Sequence, residues 1–111
     1  MSTITWDDFE KVDIRTGTII SAENFPEAKK PAFKLQIDFG EFGIKKSSAQ
    51  ITKLYSVNGL VGLQVVAVVN FPPRQIGRFV SEVLILGVVG SDGEVTLLSP
   101  TQKTKNGLRI A

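Results

Sequence analysis

Leu63-Gln64-Val65-Val66-Ala67-Val68-Val69-Asn70-Phe71-Pro72-Pro73-Arg74, with a return to strand-forming sequence at Ser81-Glu82-Val83-Leu84, decides how this chain is read. The run from Leu63 to Val69 is rich in β-branched residues and almost wholly apolar, the pattern of a strand covered on both faces. Paired prolines cannot continue its hydrogen-bonded ladder, so the chain leaves the sheet there and re-enters another strand near Ser81. The exit carries Asn70, Arg74, Gln75 and Arg78 on a proline-stiffened loop held by a buried strand, which is where binding residues concentrate. The plain alternative is a loop that only joins two strands.

Composition narrows what such a loop can serve. With 111 residues, 42% hydrophobic and 22% charged, the chain suits one domain over residues 1–111 that buries about two-thirds of its unfolded surface. Lys and Arg number 13 against 11 Asp and Glu, so any basic surface has to come from clustering. Histidine and cysteine are absent, which removes disulfides, thiolate nucleophiles, imidazole bases and the usual zinc ligands together. No cofactor or metal is expected. The opening Met1-Ser2-Thr3-Ile4-Thr5-Trp6-Asp7-Asp8 has no basic head and no apolar stretch of the kind a signal peptide carries, so a cytoplasmic protein without membrane insertion is expected.

Working outward from the central strand, Thr5 is a candidate N-cap, with Asp7 and Asp8 in the first turn of a short helix and Trp6 and Phe9 on one face of it. Val12 to Ala22 reads as a strand in which Gly17 permits a bulge or strong bend. Ala32 to Phe39 alternates cleanly, placing Phe33, Leu35, Ile37 and Phe39 on the core side and Lys34, Gln36 and Asp38 on the other. Gly40 and Gly43 bracket a turn into Ile44 to Ile51, a more polar strand expected to pair antiparallel with the one before it. Asn58-Gly59 and Gly62 punctuate a connection predicted to hold a short helix around Ile51 to Tyr55. Ser91-Asp92-Gly93-Glu94, between Ser81–Val89 and Val95–Leu98, signals a hairpin. The spacing predicts an all-β domain: a small five-stranded Greek-key OB-type barrel with short helices at the N-terminus and between strands 3 and 4. An SH3-like barrel is the rival, and the inserted helical segment favours OB.

Several of these segments carry a resemblance. Val12-Asp13-Ile14-Arg15-Thr16-Gly17, Pro26-Glu27-Ala28, Leu35 to Gly40, Ser48-Ala49-Gln50-Ile51 and Asn70-Phe71-Pro72-Pro73 through Ser81-Glu82 resemble the tRNA-binding domain found in tRNA-synthetase appendages and free-standing tRNA-binding proteins. Lys46 to Lys53, Val65 to Arg74 and Ser81 to Leu84 are most similar to the CsaA-type export-related chaperones within that superfamily. The resemblance implies an OB-fold homodimer, assembled with help from its terminal segments, that binds unfolded or pre-secretory polypeptides and has tRNA as its alternative ligand. The broader tRNA-binding pattern has Asn-Leu-Lys-Pro followed by Ser-x-Gly-Met. This chain has Phe71 and Pro72 for the Leu and Lys, and Val83 and Leu84 for the Gly and Met, so a phosphate-seeking lysine is lost.

The candidate binding residues follow from both readings. Ser47, Ser48 and Gln50 offer hydroxyl and amide groups to an extended backbone or to RNA sugar and phosphate, or else face solvent from a strand. Lys34, Lys45, Lys46, Arg74, Arg78 and Lys103 form a candidate basic rim for phosphate or acidic client side chains, with solvated strand charges as the commoner state. Phe71 offers an apolar floor or a base-stacking surface, or anchors its own loop. Asn70 reads mainly as a residue that holds the loop, and Ser81 and Glu82 complete the set. Trp6, Phe9, Leu108 and Ile110 supply apolar surface for a two-fold interface. An enzyme is the competing class, but Asp7-Asp8 suits first-turn placement better than a catalytic dyad, and no phosphate-cradling glycine loop is present.

Overall fold

The computed structural model describes residues 1–111, and its first element is the short helix the sequence signalled. α1 (Trp6–Glu10) is started by a capping box: Thr5 Oγ1 accepts the Asp8 N–H at 3.1 Å and Asp8 Oδ2 accepts the Thr5 N–H at 3.0 Å. The two reciprocal bonds satisfy donors that the helix itself cannot. Trp6 and Phe9 lie side by side with ring centroids 5.5 Å apart.

The barrel is organised by β1 (Ile14–Asn24), which is long enough to serve two partners. Its first half pairs with β4 (Gln64–Val68), from Ile14 opposite Val68 to Thr18 opposite Gln64. Its second half pairs with β2 (Phe33–Asp38), which in turn pairs with β3 (Ile44–Ala49) after a 3₁₀ turn at Gly40–Phe42. The bulge lies between Ile19 and Ser21, not at Gly17 as the sequence suggested. Gly17 has no left-handed backbone; it is small because a Cβ there would stand 2.7 Å from Ile37 Cγ2 and 2.8 Å from Phe39 Cε1. The main sheet runs β3-β2-β1-β4-β7, with β7 at Leu84–Ile85. All pairs are antiparallel.

Closure comes from the segment after the prolines. The Glu82 and Val83 N–H groups both donate to Lys46 C=O, at 2.7 and 3.3 Å, so the free edge of β3 is met by residues just before β7. The result is a nearly closed five-stranded OB barrel. Its core holds Ile19, Leu35, Ile37, Phe39, Leu60 and Val65, each with at most 1% of its surface exposed. The alternation read in Phe33 to Phe39 therefore holds, and so does the doubly covered strand, since Val65 to Val68 are all buried.

Three elements differ from the sequence reading. The inserted helix α2 spans Val57–Leu60, not Ile51 to Tyr55, because Ser56 is its cap and accepts the Gly59 N–H at 3.2 Å. Capping outweighs the poor helix propensity of Asn58-Gly59, and fully buried Leu60 anchors the turn. The loop after Pro73 contains a small hairpin, β5 (Arg74–Ile76) and β6 (Phe79–Ser81). The segment Ser81–Val89 is not one strand but passes through β6, β7 and β8 (Gly87–Val89), the last pairing with β9 (Val95–Leu97) as the Asp92-Gly93 turn requires. No helix is long and apolar enough to cross a membrane.

Candidate functional site

The proline exit from β4 opens onto a groove of about 910 Å³. One wall is the β1–β2 loop, with Glu27, Ala28, Lys29 and Lys30; the other is Arg74, Gln75, Ile76 and Gly77 of the β5–β6 hairpin. Ser48 and Gln50 from the end of β3, together with Phe71, Ala32, Val83 and Leu84, complete the lining. Phe71 is 53% exposed and Leu84 48% exposed, well beyond what a packed core residue shows. An apolar strip is thus left open beside three cations, Lys29, Lys30 and Arg74.

The hairpin that forms the second wall is seated by aromatic packing. Phe79 meets Phe25 edge to face at 5.4 Å between centroids, a favoured geometry for two quadrupoles. Lys34 Nζ stands 5.5 Å from the Phe25 ring centre and Lys46 Nζ 5.5 Å from that of Phe79. Both lysines therefore flank the aromatic pair on the outer face of β2 and β3 rather than line the groove.

Of the expected binding residues, Ser48, Gln50, Phe71, Arg74, Ser81 and Glu82 come together in this groove. Ser81 and Glu82 carry a structural task as well. Ser81 Oγ accepts the Ser48 N–H and Glu82 Oε1 accepts the Lys46 N–H, each at 3.1 Å, so their polar groups help close the barrel. Asn70 is a clamp: its Oδ1 accepts the Asp13 N–H at 3.0 Å and its Nδ2 donates to Lys11 C=O at 2.7 Å. Arg78 occupies the hairpin turn and is not part of the lining.

Ser47 has to be corrected. It lies opposite Leu35 on the inward side of β3 and is fully buried, with Oγ lacking any hydrogen-bond partner, so it reaches neither solvent nor ligand. The expectation failed because strand parity puts Ser47 inward and Ser48 outward, and composition alone does not fix that parity. Lys45 shares the Ser47 side of β3 and stays outside the groove. Lys103 belongs to a separate, polar cleft of about 590 Å³ with Asp38, Gln64, Lys105 and Asn106. Sequence reasoning missed Lys29, Lys30 and Ile76, and named Gln75 as a residue of the loop without counting it in the binding set. The dipeptide Lys29-Lys30 before Pro31 was the available signal for the first two.

The terminal segments meet on another face. The Thr16 N–H donates to Leu108 C=O at 3.0 Å and the Ile110 N–H to Ile14 C=O at 2.8 Å, so the tail lies against β1 of its own barrel. Arg15 is stacked 4.2 Å from the Phe42 ring centre, while its Nη1 donates to Gly107 C=O at 2.9 Å and its Nε pairs with Asp13 Oδ1 at 3.0 Å. Trp6 and Leu108 remain 68% and 49% exposed.

Comparison with known proteins agrees with this geometry. Residues 14–109 match the family described as "Putative tRNA binding domain". A methionine--tRNA ligase of Pelodictyon phaeoclathratiforme is 40% identical over 107 residues, which is 96% of this chain but 15% of that enzyme; one from Methanococcoides burtonii is 36% identical over the same length. The chain thus spans about 15% of the length of the first of these relatives. Among solved structures, the chaperone CsaA from Bacillus anthracis superposes with a TM-score of 0.94 at 51% identity, covering 99% of this chain and 100% of that one. The CsaA chaperone protein of Picrophilus torridus gives 0.91 at 51% identity, covering 98% and 100%. With near-complete coverage of both chains and the OB barrel in common, the protein belongs to the tRNA-binding-domain family and, within it, to the CsaA-type chaperones.

Proposed function

We propose that this protein is a non-catalytic chaperone that holds unfolded or pre-secretory stretches of polypeptide in the groove between the β1–β2 loop and the β5–β6 hairpin. The observation that carries the reading is the open apolar strip of Phe71 and Leu84 beside the cations Lys29, Lys30 and Arg74. Unfolded chains expose apolar side chains, and an uncovered strip gains from burying them. The similarity to CsaA chaperones from two organisms supports the same assignment. The test is fluorescence anisotropy with labelled, reduced and carboxymethylated lactalbumin, a permanently unfolded client. Binding is expected, weakened about tenfold by Phe71→Ala, since losing part of a buried phenyl removes on the order of 1 to 2 kcal/mol. Failure to bind any denatured client would overturn the reading.

The second reading is tRNA binding by the same groove, favoured by the family match over residues 14–109 and by the cationic rim. Phosphate contacts would come from Lys29, Lys30 and Arg74, with Lys34 and Lys46 on the adjoining face. In either case the working form is a cytoplasmic homodimer joined through α1 and the tail, where Trp6, Phe9, Leu108 and Ile110 present apolar surface. Two grooves in fixed relation would let one long ligand engage both and raise its effective concentration.

A further inference from the structure

The groove runs along a backbone edge, not a side-chain face. Arg74, Gln75 and Ile76 of β5 all line it, with Gly77 of the turn, and consecutive strand residues point to opposite faces, so one face could not contribute all three. Only the edge of the strand exposes successive residues together. Phe79 and Val80 of β6 are absent from the lining, while Ser81 to Leu84, at the base of the hairpin, form its floor; opposite Gln75 and Ile76 the groove therefore lies on the side of β5 turned away from its partner.

The hydrogen-bond parity of the hairpin fixes which groups that edge presents. Gly77 (φ +61°) and Arg78 form a two-residue turn, so the flanking pair Ile76 and Phe79 exchanges both of its bonds and Arg74 and Ser81 do so again. Gln75, opposite Val80, lies between them with its N–H and C=O directed outward. The same parity sends the Glu82 N–H away from β5 to Lys46 C=O, as observed at 2.7 Å. The next outward position by this parity is Pro73, just before β5, which has a C=O but no N–H. β5 pairs with β6 alone, and the free edge therefore offers one donor and two acceptors: Gln75 N–H, Gln75 C=O and Pro73 C=O.

We propose that the client enters the groove as an added strand, its backbone pairing with Gln75 and reaching Pro73 C=O while alternate side chains descend onto Phe71, Val83 and Leu84. The occupant is an extended polypeptide because its backbone supplies an N–H and a C=O that pair with one outward strand residue while its alternate side chains reach the apolar floor of Phe71, Val83 and Leu84. Main-chain pairing is indifferent to sequence, which suits a protein that must hold many clients. Pro73 removes one donor and keeps the edge too short to recruit a second folded sheet.

This inference rests on the polypeptide-binding reading above, and the experiment separates the two. Amide hydrogen exchange is followed residue by residue in the full chain, free and saturated with reduced, carboxymethylated lactalbumin, with binding verified independently by anisotropy. In the free protein the Arg74 and Ile76 amides are expected to be protected and the Gln75 amide to exchange fast. Client should slow Gln75 at least tenfold. Gln75→Ala and Gln75→Pro both lose the side-chain bond to Gly77 C=O and differ in the backbone N–H alone, so Gln75→Pro should match the unfolding midpoint of Gln75→Ala and bind client about tenfold more weakly than Gln75→Ala does. Client bound with Gln75 still in fast exchange, or Gln75→Pro binding as tightly as Gln75→Ala, overturns strand addition and leaves the groove reading standing. Absence of client binding, with tRNA bound instead, overturns both.

Discussion

Asn70 and Asp13, far apart in sequence, are joined side chain to main chain: Asn70 Oδ1 accepts the Asp13 N–H at 3.0 Å, and the preceding Val69 N–H donates to Asp13 C=O at 2.8 Å. With Asn70 Nδ2 on Lys11 C=O at 2.7 Å, one carboxamide ties the segment after α1 to the start of the groove loop. Asn70→Ala removes two bonds at a solvent-accessible position and should lower stability by about 1 to 2 kcal/mol in urea denaturation. Unchanged stability together with lost client binding would mean that Asn70 touches ligand instead.

Ser47 gives the opposite kind of expectation. Its hydroxyl is buried without a partner, so Ser47→Ala relieves a desolvated polar group at nearly constant volume. The change should leave stability equal or raise it by up to about 1 kcal/mol, with client affinity unaltered. A loss of client affinity at unchanged stability would return Ser47 to the site.

The barrel was legible because its signals are local. Alternation in Phe33 to Phe39 set the buried face of β2, and the apolar run before Pro72 marked a strand covered on both sides. The cap at Thr5 and the Asp92-Gly93 turn were equally direct. What stayed hidden depends on contacts between segments distant in sequence. Gly17 is small because Ile37 and Phe39 press on it across the sheet, and nothing beside it in sequence says so. The groove's first wall, Lys29 and Lys30, faces Arg74 to Gly77 only because Phe79 docks on Phe25. Lys103 looked like one more rim cation, yet the tail carries it into the other cleft.

Salt separates the two ligands. If tRNA binds through Lys29, Lys30 and Arg74, neutralising any one true phosphate contact should reduce the log-log salt slope by about 0.7 to 0.9. Client affinity should change little between low and physiological salt, since apolar burial is not screened. A steep salt dependence for the unfolded client, abolished by Arg74→Ala, would make the groove an anion site.

Sedimentation velocity at micromolar concentration should show a dimer. Trp6→Ala combined with Leu108→Ala should shift it toward monomer, and these point changes are preferable to deleting the tail, because Leu108 and Ile110 also donate or accept backbone bonds to β1. A parent protein that sediments as a monomer would contradict the assembly.

Client binding in the groove is tested most directly by chemical-shift mapping of the labelled protein with unfolded lactalbumin. The perturbed amides are expected to be those of the non-proline residues in 27–32, 48–50 and 71–84, with the cleft around Gln64 and Lys103 to Asn106 unmoved. Perturbations gathered in that polar cleft instead, with the groove silent, would contradict it.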